Sequence, residues 1–207
     1  MVYIFSIEGN IGSGKSTLVN KLKNIQINDT ELFLLQEPVS LWESIKDTEG
    51  NSILSKFYAD KEKYAFPFQM MAFISRLKEI SECIKLFPND IIITERSVFT
   101  DCYVFAKMLY DDKLIDSISY QIYNQWFDYF TQDIVIAGYV YLDIIPEECA
   151  SRIKSRNRDG EIIELDYLNK CRDYHDEWLD KEKNVLIIKD NNDLSTIINF
   201  IKNNLKK

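Results

Sequence analysis

Short runs of apolar and β-branched residues alternate along the chain with longer stretches whose apolar positions recur every three or four residues. The runs Val2–Ile7, Leu32–Gln36, Ile91–Thr94, Val140–Leu142 and Val185–Ile188 are largely apolar on both faces, as strands buried from both sides of a parallel sheet are. Helical periodicity falls near residues 15–24, 41–47, 68–87, 100–111, 116–130, 146–157, 164–182 and 194–205. Strands separated by helices predict an α/β fold, with five parallel strands and helices on both faces. The longest apolar run, Ile134 to Leu142, covers nine residues. A membrane helix needs about twice that, so the run predicts a buried strand or hairpin and no span. With 207 residues, no internal repeat and no obvious linker, a single domain over residues 1–207 is expected.

Charge narrows the partners. The chain carries 33 acidic and 25 basic residues, a net charge of −8, which argues against sequence-independent binding of a nucleic-acid polymer. A small phosphorylated ligand stays open, because a local arginine cluster can oppose the global field. Cys83, Cys102, Cys149 and Cys171 are scattered without a C-x-x-C pair, which fits reduced thiols better than zinc or disulfides. His175 is the single histidine, so any general base is expected to be a carboxylate. A strand pattern begins at Val2 without a leader pattern before it, and the cytoplasm is the expected location.

The strongest local signal is Gly9-Asn10-Ile11-Gly12-Ser13-Gly14-Lys15-Ser16, a full G-x-x-x-x-G-K-S between a strand and a helix. That context is what a phosphate loop requires. Its glycines let backbone N–H groups wrap a phosphate, and the helix N-terminus adds favourable partial charge. Lys15 would reach the β and γ phosphates and the Ser16 hydroxyl would ligate Mg²⁺. Gly9 through Thr17 is therefore the expected site for ATP or another NTP.

Further along, Glu37-Pro38-Val39 follows the second strand and Glu95-Arg96-Ser97 the third, while Arg152, Arg156 and Arg158 follow the fourth. Arg152 and Arg156 are four apart and share a helix face; alone, they could be a solvated basic helix end. Taken with Gly9-Asn10-Ile11, these motifs resemble the deoxynucleoside kinase family from about Val2 to Leu179. The resemblance implies a P-loop kinase fold with sheet order 2-3-1-4-5 and a basic lid at about residues 152–164. It makes Glu37 the acceptor of the nucleoside 5′-hydroxyl proton, Glu95 a Mg²⁺-associated carboxylate beside Ser16, and Arg96 a stabiliser of the transferring phosphoryl group. Arg152, Arg156 and Arg158 become lid groups over ATP.

The same resemblance places the nucleoside. Gln69, Ala72 and Arg76 lie on one helix face; Gln69 would read the base, with Arg76 and Asp101 as a charge pair beside it. Thymidine-preferring members carry apolar residues at the two matching positions, so a deoxycytidine or deoxypurine nucleoside is the expected acceptor. Trp42, Phe68 and Phe105 would supply stacking surface. Tyr58 and Glu161 would hold the sugar 3′-hydroxyl, with Glu164 an alternative because the lid is one residue shorter than in relatives. The loop Asp190-Asn191-Asn192-Asp193 would meet the donor adenine. Ile118, Ile122, Trp126, Tyr129 and Phe130 form an apolar stripe that could face the domain's own sheet; related kinases use this helix in a homodimer. Rival readings are a thymidylate-type nucleoside monophosphate kinase and a non-catalytic kinase-fold subunit.

Overall fold

The computed structural model describes residues 2–28, 30–158, 161–190 and 193–205. In chain order, β1 (Tyr3–Gly9) leads through the phosphate loop into α1 (Lys15–Lys21), and β2 (Gln26–Ile27) precedes β3 (Thr30–Leu35). Three helices follow, α2 (Val39–Ser44), α3 (Ile53–Ala59) and α4 (Lys61–Leu86), before β4 (Ile91–Glu95). Next, α5 (Val98–Thr100) passes through a π-helical stretch, Asp101–Ala106, into α6 (Lys107–Asp111), and α7 (Ser117–Thr131) leads to β5 (Ile136–Leu142). The chain ends with α8 (Pro146–Arg156), α9 (Leu165–Leu179), β6 (Val185–Ile188) and α10 (Leu194–Asn204).

The sheet order is β2-β3-β4-β1-β5-β6. Among the described residues this corrects the expectation of five strands to six. The addition, β2, pairs antiparallel with β3 through Gln26↔Glu31 and Ile27↔Thr30 only, too short a run to leave a periodic signal. The remaining strands are parallel, and numbered among themselves they follow the expected order 2-3-1-4-5. Central β1 alternates with a period of two. Phe5 and Ile7 pack among Leu18, Val19, Leu22, Ile197 and Ile201 of α1, its C-cap and α10, while Ile4 packs on the opposite face with Phe73, Ile80, Tyr123 and Phe127. That second face also carries Ser6 and Glu8, both fully buried.

Helix limits differ from the periodic reading where local chemistry overrides it. Helix α4 starts at Lys61 rather than Phe68 and runs through Pro67. Asp60 caps it by accepting from Lys63 N–H at 3.1 Å, so the proline falls within the second turn, where it removes one backbone donor. Helix α3 was not anticipated; its seven residues, capped by Ser52, are too few for a clear periodic pattern. In α7, Tyr123, Phe127 and Thr131 turn inward, while Ile118 is 69% exposed, Trp126 43% and Tyr129 63%. The apolar stripe therefore faces away from the domain's own sheet. No helix among the described residues is long and apolar enough to cross a membrane.

His175 is fully buried on α9, stacked at 5.7 Å on Tyr141 of β5. Its Nδ1 donates to the Cys171 carbonyl at 2.6 Å, and its Nε2 has no hydrogen-bond partner among the described residues. Burial outweighs the carbonyl contact and lowers the imidazole pKa to about 3. Between that value and an unfolded value of about 6.5, only the unfolded chain gains the proton, so folding stability falls as pH drops through this window. The expected loss from this residue between pH 7 and pH 5 is about 2 kcal/mol. Urea unfolding at both pH values should show a flatter pH dependence by that amount in His175→Gln.

Candidate active site

At the C-terminal ends of the parallel strands, where open α/β sheets place ligands, lies a cavity of about 720 Å³. Its floor is the phosphate loop, with Ile11, Gly12, Gly14, Lys15, Ser16 and Thr17 in the wall. Gly12 has φ +79°, and a Cβ there would lie 2.6 Å from the Cys149 carbonyl of α8, so the loop needs glycine for conformation and space alike. Lys15 Nζ folds back onto the Asn10 carbonyl at 2.7 Å. Burial, then the nearby Arg96 charge, lowers its pKa to about 8. Gly9, Asn10 and Ser13, expected at the phosphates, are not in the cavity wall. The Asn10 side chain instead donates to the Leu168 carbonyl at 2.8 Å and accepts from Ile11 N–H, bracing the loop against α9.

Ser16 Oγ donates to Glu95 Oε1 at 2.6 Å. A hydroxyl and a carboxylate oxygen side by side above a phosphate loop suit Mg²⁺, which takes a few hard protein oxygens and completes its shell with phosphates and water. Glu95 ends β4, and the next residue, Arg96, adopts a left-handed φ of 60°. Its backbone N–H donates to Ile7 O at 3.0 Å and its Nη2 to Gly9 O at 3.2 Å. That turn lays the guanidinium 5.0 Å over the Phe105 ring and brings Nη1 to Glu37 Oε1.

Glu37 follows β3, and the same Oε1 accepts from Arg76 Nη2 at 3.2 Å. Burial alone would raise its pKa, but Arg96, Arg76 and Lys15 together hold the carboxyl well below the usual range. Arg76 reaches across from α4: Nε donates to Asp101 Oδ2 at 2.9 Å and Nη1 to the Glu95 carbonyl at 2.8 Å. One guanidinium thus touches the carboxylate beside the phosphate loop and the carboxylate at the far end of the cavity.

That far end is built from Trp42, Phe68, Gln69, Ala72 and Phe105. Trp42 Nε1 is spoken for by Ser75 Oγ at 2.9 Å, and Phe68 stacks on Phe57 at 4.7 Å. Gln69 is buried and its Oε1 has no hydrogen-bond partner among the described residues, an acceptor left for a ligand donor. Tyr58 lines the same wall; burial, with Glu161 and Glu37 nearby, raises its pKa and keeps it an O–H donor. The π-helical stretch begins at Asp101 and contains Phe105, both in the wall, as wide turns often occur at functional sites.

The mouth is basic. Arg152 donates to Ser13 O at 2.8 Å, and pairs with Glu148 one turn earlier. Arg156 grips Glu161 with Nε at 2.9 Å and Nη2 at 2.5 Å, and Arg158 lies 3.8 Å from the same carboxylate. Between the two glutamates left open by the sequence, Glu161 is in the cavity wall, its side chain 1% exposed. Glu164 is exposed at the N-cap of α9. Residues 159–160 and 191–192 lie outside the described residues, so the middle of the expected adenine loop, Asn191 and Asn192, does too. Sequence reasoning missed Val39, Leu54, Phe57 and Tyr167 in the wall. Leu54 and Phe57 sit on unanticipated α3, and Tyr167 follows the lid by a few residues, a spacing that could have flagged it.

A family model described as deoxynucleoside kinase matches residues 5–205. Among curated proteins, the chain is 40% identical over 177 residues to the "Probable deoxycytidine kinase" of Fowlpox virus, covering 84% of this chain and 70% of that protein. It is 34% identical to the deoxycytidine kinase of Homo sapiens, covering 84% and 74%. It is 31% identical to the mitochondrial deoxyguanosine kinase of Xenopus laevis, covering 86% and 73%.

The Arg76–Asp101 pair generates a stability prediction. Asp101→Ala strands a buried guanidinium beside a single remaining carboxylate, and should lower unfolding free energy by about 3 kcal/mol. Adding Arg76→Met should recover part of that loss, read by urea titration of the single and double variants.

Proposed function

Since the chain belongs to the deoxynucleoside kinase family and so moves the γ-phosphate of ATP or another NTP to a deoxynucleoside 5′-hydroxyl, we propose that Glu37 accepts the proton of that hydroxyl. The observation that carries this reading is one continuous cavity. It joins the phosphate loop to Gln69, Arg76 and Asp101, with Glu37 at the join. The nucleoside lies at the Gln69 end with its sugar toward Glu37, and the triphosphate lies over Lys15. In a loose transition state the proton leaves late, so a weakly basic carboxylate at the right distance suffices. Arg96, held by Gly9 O and Glu37, stabilises charge on the transferring group, and Arg152, Arg156 and Arg158 add charge from the lid. Ser16 and Glu95 would hold Mg²⁺, which when bound would neutralise phosphate charge on the donor.

For the acceptor we favour deoxycytidine and deoxypurine nucleosides over thymidine. Arg76 and Asp101 fill the space a 5-methyl group would need, and Asp101 can accept from an exocyclic amine that thymine lacks. With Oδ2 already bonded to Arg76, an amine-bearing base would use the remaining acceptor capacity of Asp101, which thymine cannot. Tyr58 and Glu161 recognise the 3′-hydroxyl, which suits a neutral sugar rather than a nucleotide phosphate. The exposed α7 stripe supports a homodimer: Ile118, Ile122, Trp126, Tyr129 and Phe130 all lie on the surface, with Trp126 and Phe130 stacked at 5.7 Å, an apolar area typical of an interface core. Four free, buried cysteines suit a reducing compartment, and the cytoplasm is the proposed one.

Turnover with ATP, Mg²⁺ and each deoxynucleoside tests the reading. Deoxycytidine, deoxyadenosine or deoxyguanosine should give a higher kcat/KM than thymidine, and Arg76→Met with Asp101→Ala should raise the relative rate on thymidine. Glu37→Gln should bind nucleoside yet lose at least about a hundredfold in kcat. If thymidine is the best wild-type substrate, the base-site assignment is wrong. Light scattering at micromolar concentration should give twice the 24.4 kDa chain mass; a monomer mass would end the dimer proposal.

A further inference from the structure

One buried acid takes no part in the chemistry above. Glu8, the penultimate residue of β1, is fully buried, and its carboxylate accepts from three hydroxyls. Ser6 Oγ donates to Oε1 at 2.5 Å, Ser97 Oγ to the same oxygen at 3.0 Å, and Thr100 Oγ1 to Oε2 at 2.5 Å. The last two hydroxyls also lie 3.4 Å from each other. Ser97 and Thr100 form a reciprocal capping box in which each side-chain oxygen accepts from the other residue's backbone N–H. Thr100 Oγ1 does so at 3.1 Å from Ser97 N. An ionised carboxylate has no hydrogen to give, so all three hydroxyls donate to Glu8, and its two oxygens can take all three.

The capping box lies at a particular corner. Glu95 and Arg96 come immediately before it, and the helix it starts carries Asp101 and Phe105. The neighbours of Glu8 hold the same corner, Ile7 O accepting from Arg96 N–H and Gly9 O from Arg96 Nη2. Three consecutive residues entering the phosphate loop are thus bonded to three of the residues 96–100. Arg96 is held there in a left-handed conformation, which surrounding contacts must maintain.

We propose that Glu8 is a positioning residue, whose carboxylate locks the Glu95–Arg96 corner and the helix behind it in register with the phosphate loop. It touches neither substrate; its effect runs through Arg96 and Glu95, and it rests on the phosphotransfer reading above. An amide cannot replace it. The side chain of Glu8→Gln would offer one acceptor oxygen and a donor group, and the hydrogen of Thr100 or Ser97 would lose its acceptor.

The test compares kcat, both KM values and urea stability for Glu8→Gln, Thr100→Val, their double variant and Ser6→Ala. Ser6 bonds the same carboxylate but lies on β1 itself, so Ser6→Ala loses a hydrogen bond without freeing the corner. Expected are a ten- to hundredfold fall in kcat, of the order that small misplacements cost, for Glu8→Gln and Thr100→Val. Both KM values should stay within about twofold, and the double variant should fall no further than the worse single. Ser6→Ala should lose stability and keep its kcat. If Glu8→Gln does not fold, the contrast of Thr100→Val with Ser6→Ala decides. A Glu8→Gln kcat within about twofold of wild type, additive losses, or equal kcat losses in Ser6→Ala and Thr100→Val would overturn the proposal alone. A wild type that phosphorylates no deoxynucleoside would overturn the kinase reading, and this inference with it.

Discussion

Two guanidinium groups, from Arg76 and Arg96, converge on one carboxylate oxygen of Glu37. Each of these side chains is costly to bury alone, and each comes from a different element: α4, the corner after β4, and the loop after β3. The arrangement holds only when strands and helix meet in the observed register. Asp101 adds a second counter-charge to Arg76, so the cluster extends from the phosphate loop to the far wall of the cavity. In the proposed function, substrate recognition and chemistry would share this one electrostatic unit, because Arg76 bonds both Asp101 and Glu37.

Unusual backbone geometry also occurs at the same place, as it does at Asn24, Asn28, Lys113 and Asn157 elsewhere. Arg96 and the glycines of the phosphate loop depart from ordinary backbone geometry, whereas the parallel ladders around them are regular apart from one shift between Ile4 and Phe5 in the β1–β5 pair. The buried sheet supplies the rigidity that maintains these departures. Hydrogen bonds around Glu8 attach the corner to the central strand from within, while Asn10 attaches the phosphate loop to α9. Arg156 and Arg158, the arginines of the proposed lid, are held less deeply, about one-third exposed.

Much of this is legible in the linear chain, where local chemistry dominates. The phosphate loop is contiguous, because nine neighbouring residues create one backbone conformation, and it can be read directly. Buried parallel strands also announce themselves, since both faces must be apolar. Glu37, Glu95 and Arg96 stand out as polar residues at the ends of such strands. The short helix α3, the two-residue β2 and the start of α4 ahead of Pro67 do not. Their stability comes from caps and tertiary contacts rather than from a periodic pattern.

Residue order alone was enough for the fold class, the place of the phosphate loop and, through the family motifs, the order of the parallel strands and most of the residues that line the cavity. It took the folded chain to show that Glu161 rather than Glu164 lines the cavity, and that the Asn10 side chain braces the phosphate loop against α9. The outward turn of the α7 stripe and the three hydroxyls collected by Glu8 belong to the same class. These outcomes depend on which groups meet across elements distant in the chain. A stripe has two sides to face and a carboxylate many possible partners, and packing against the finished sheet selects among them.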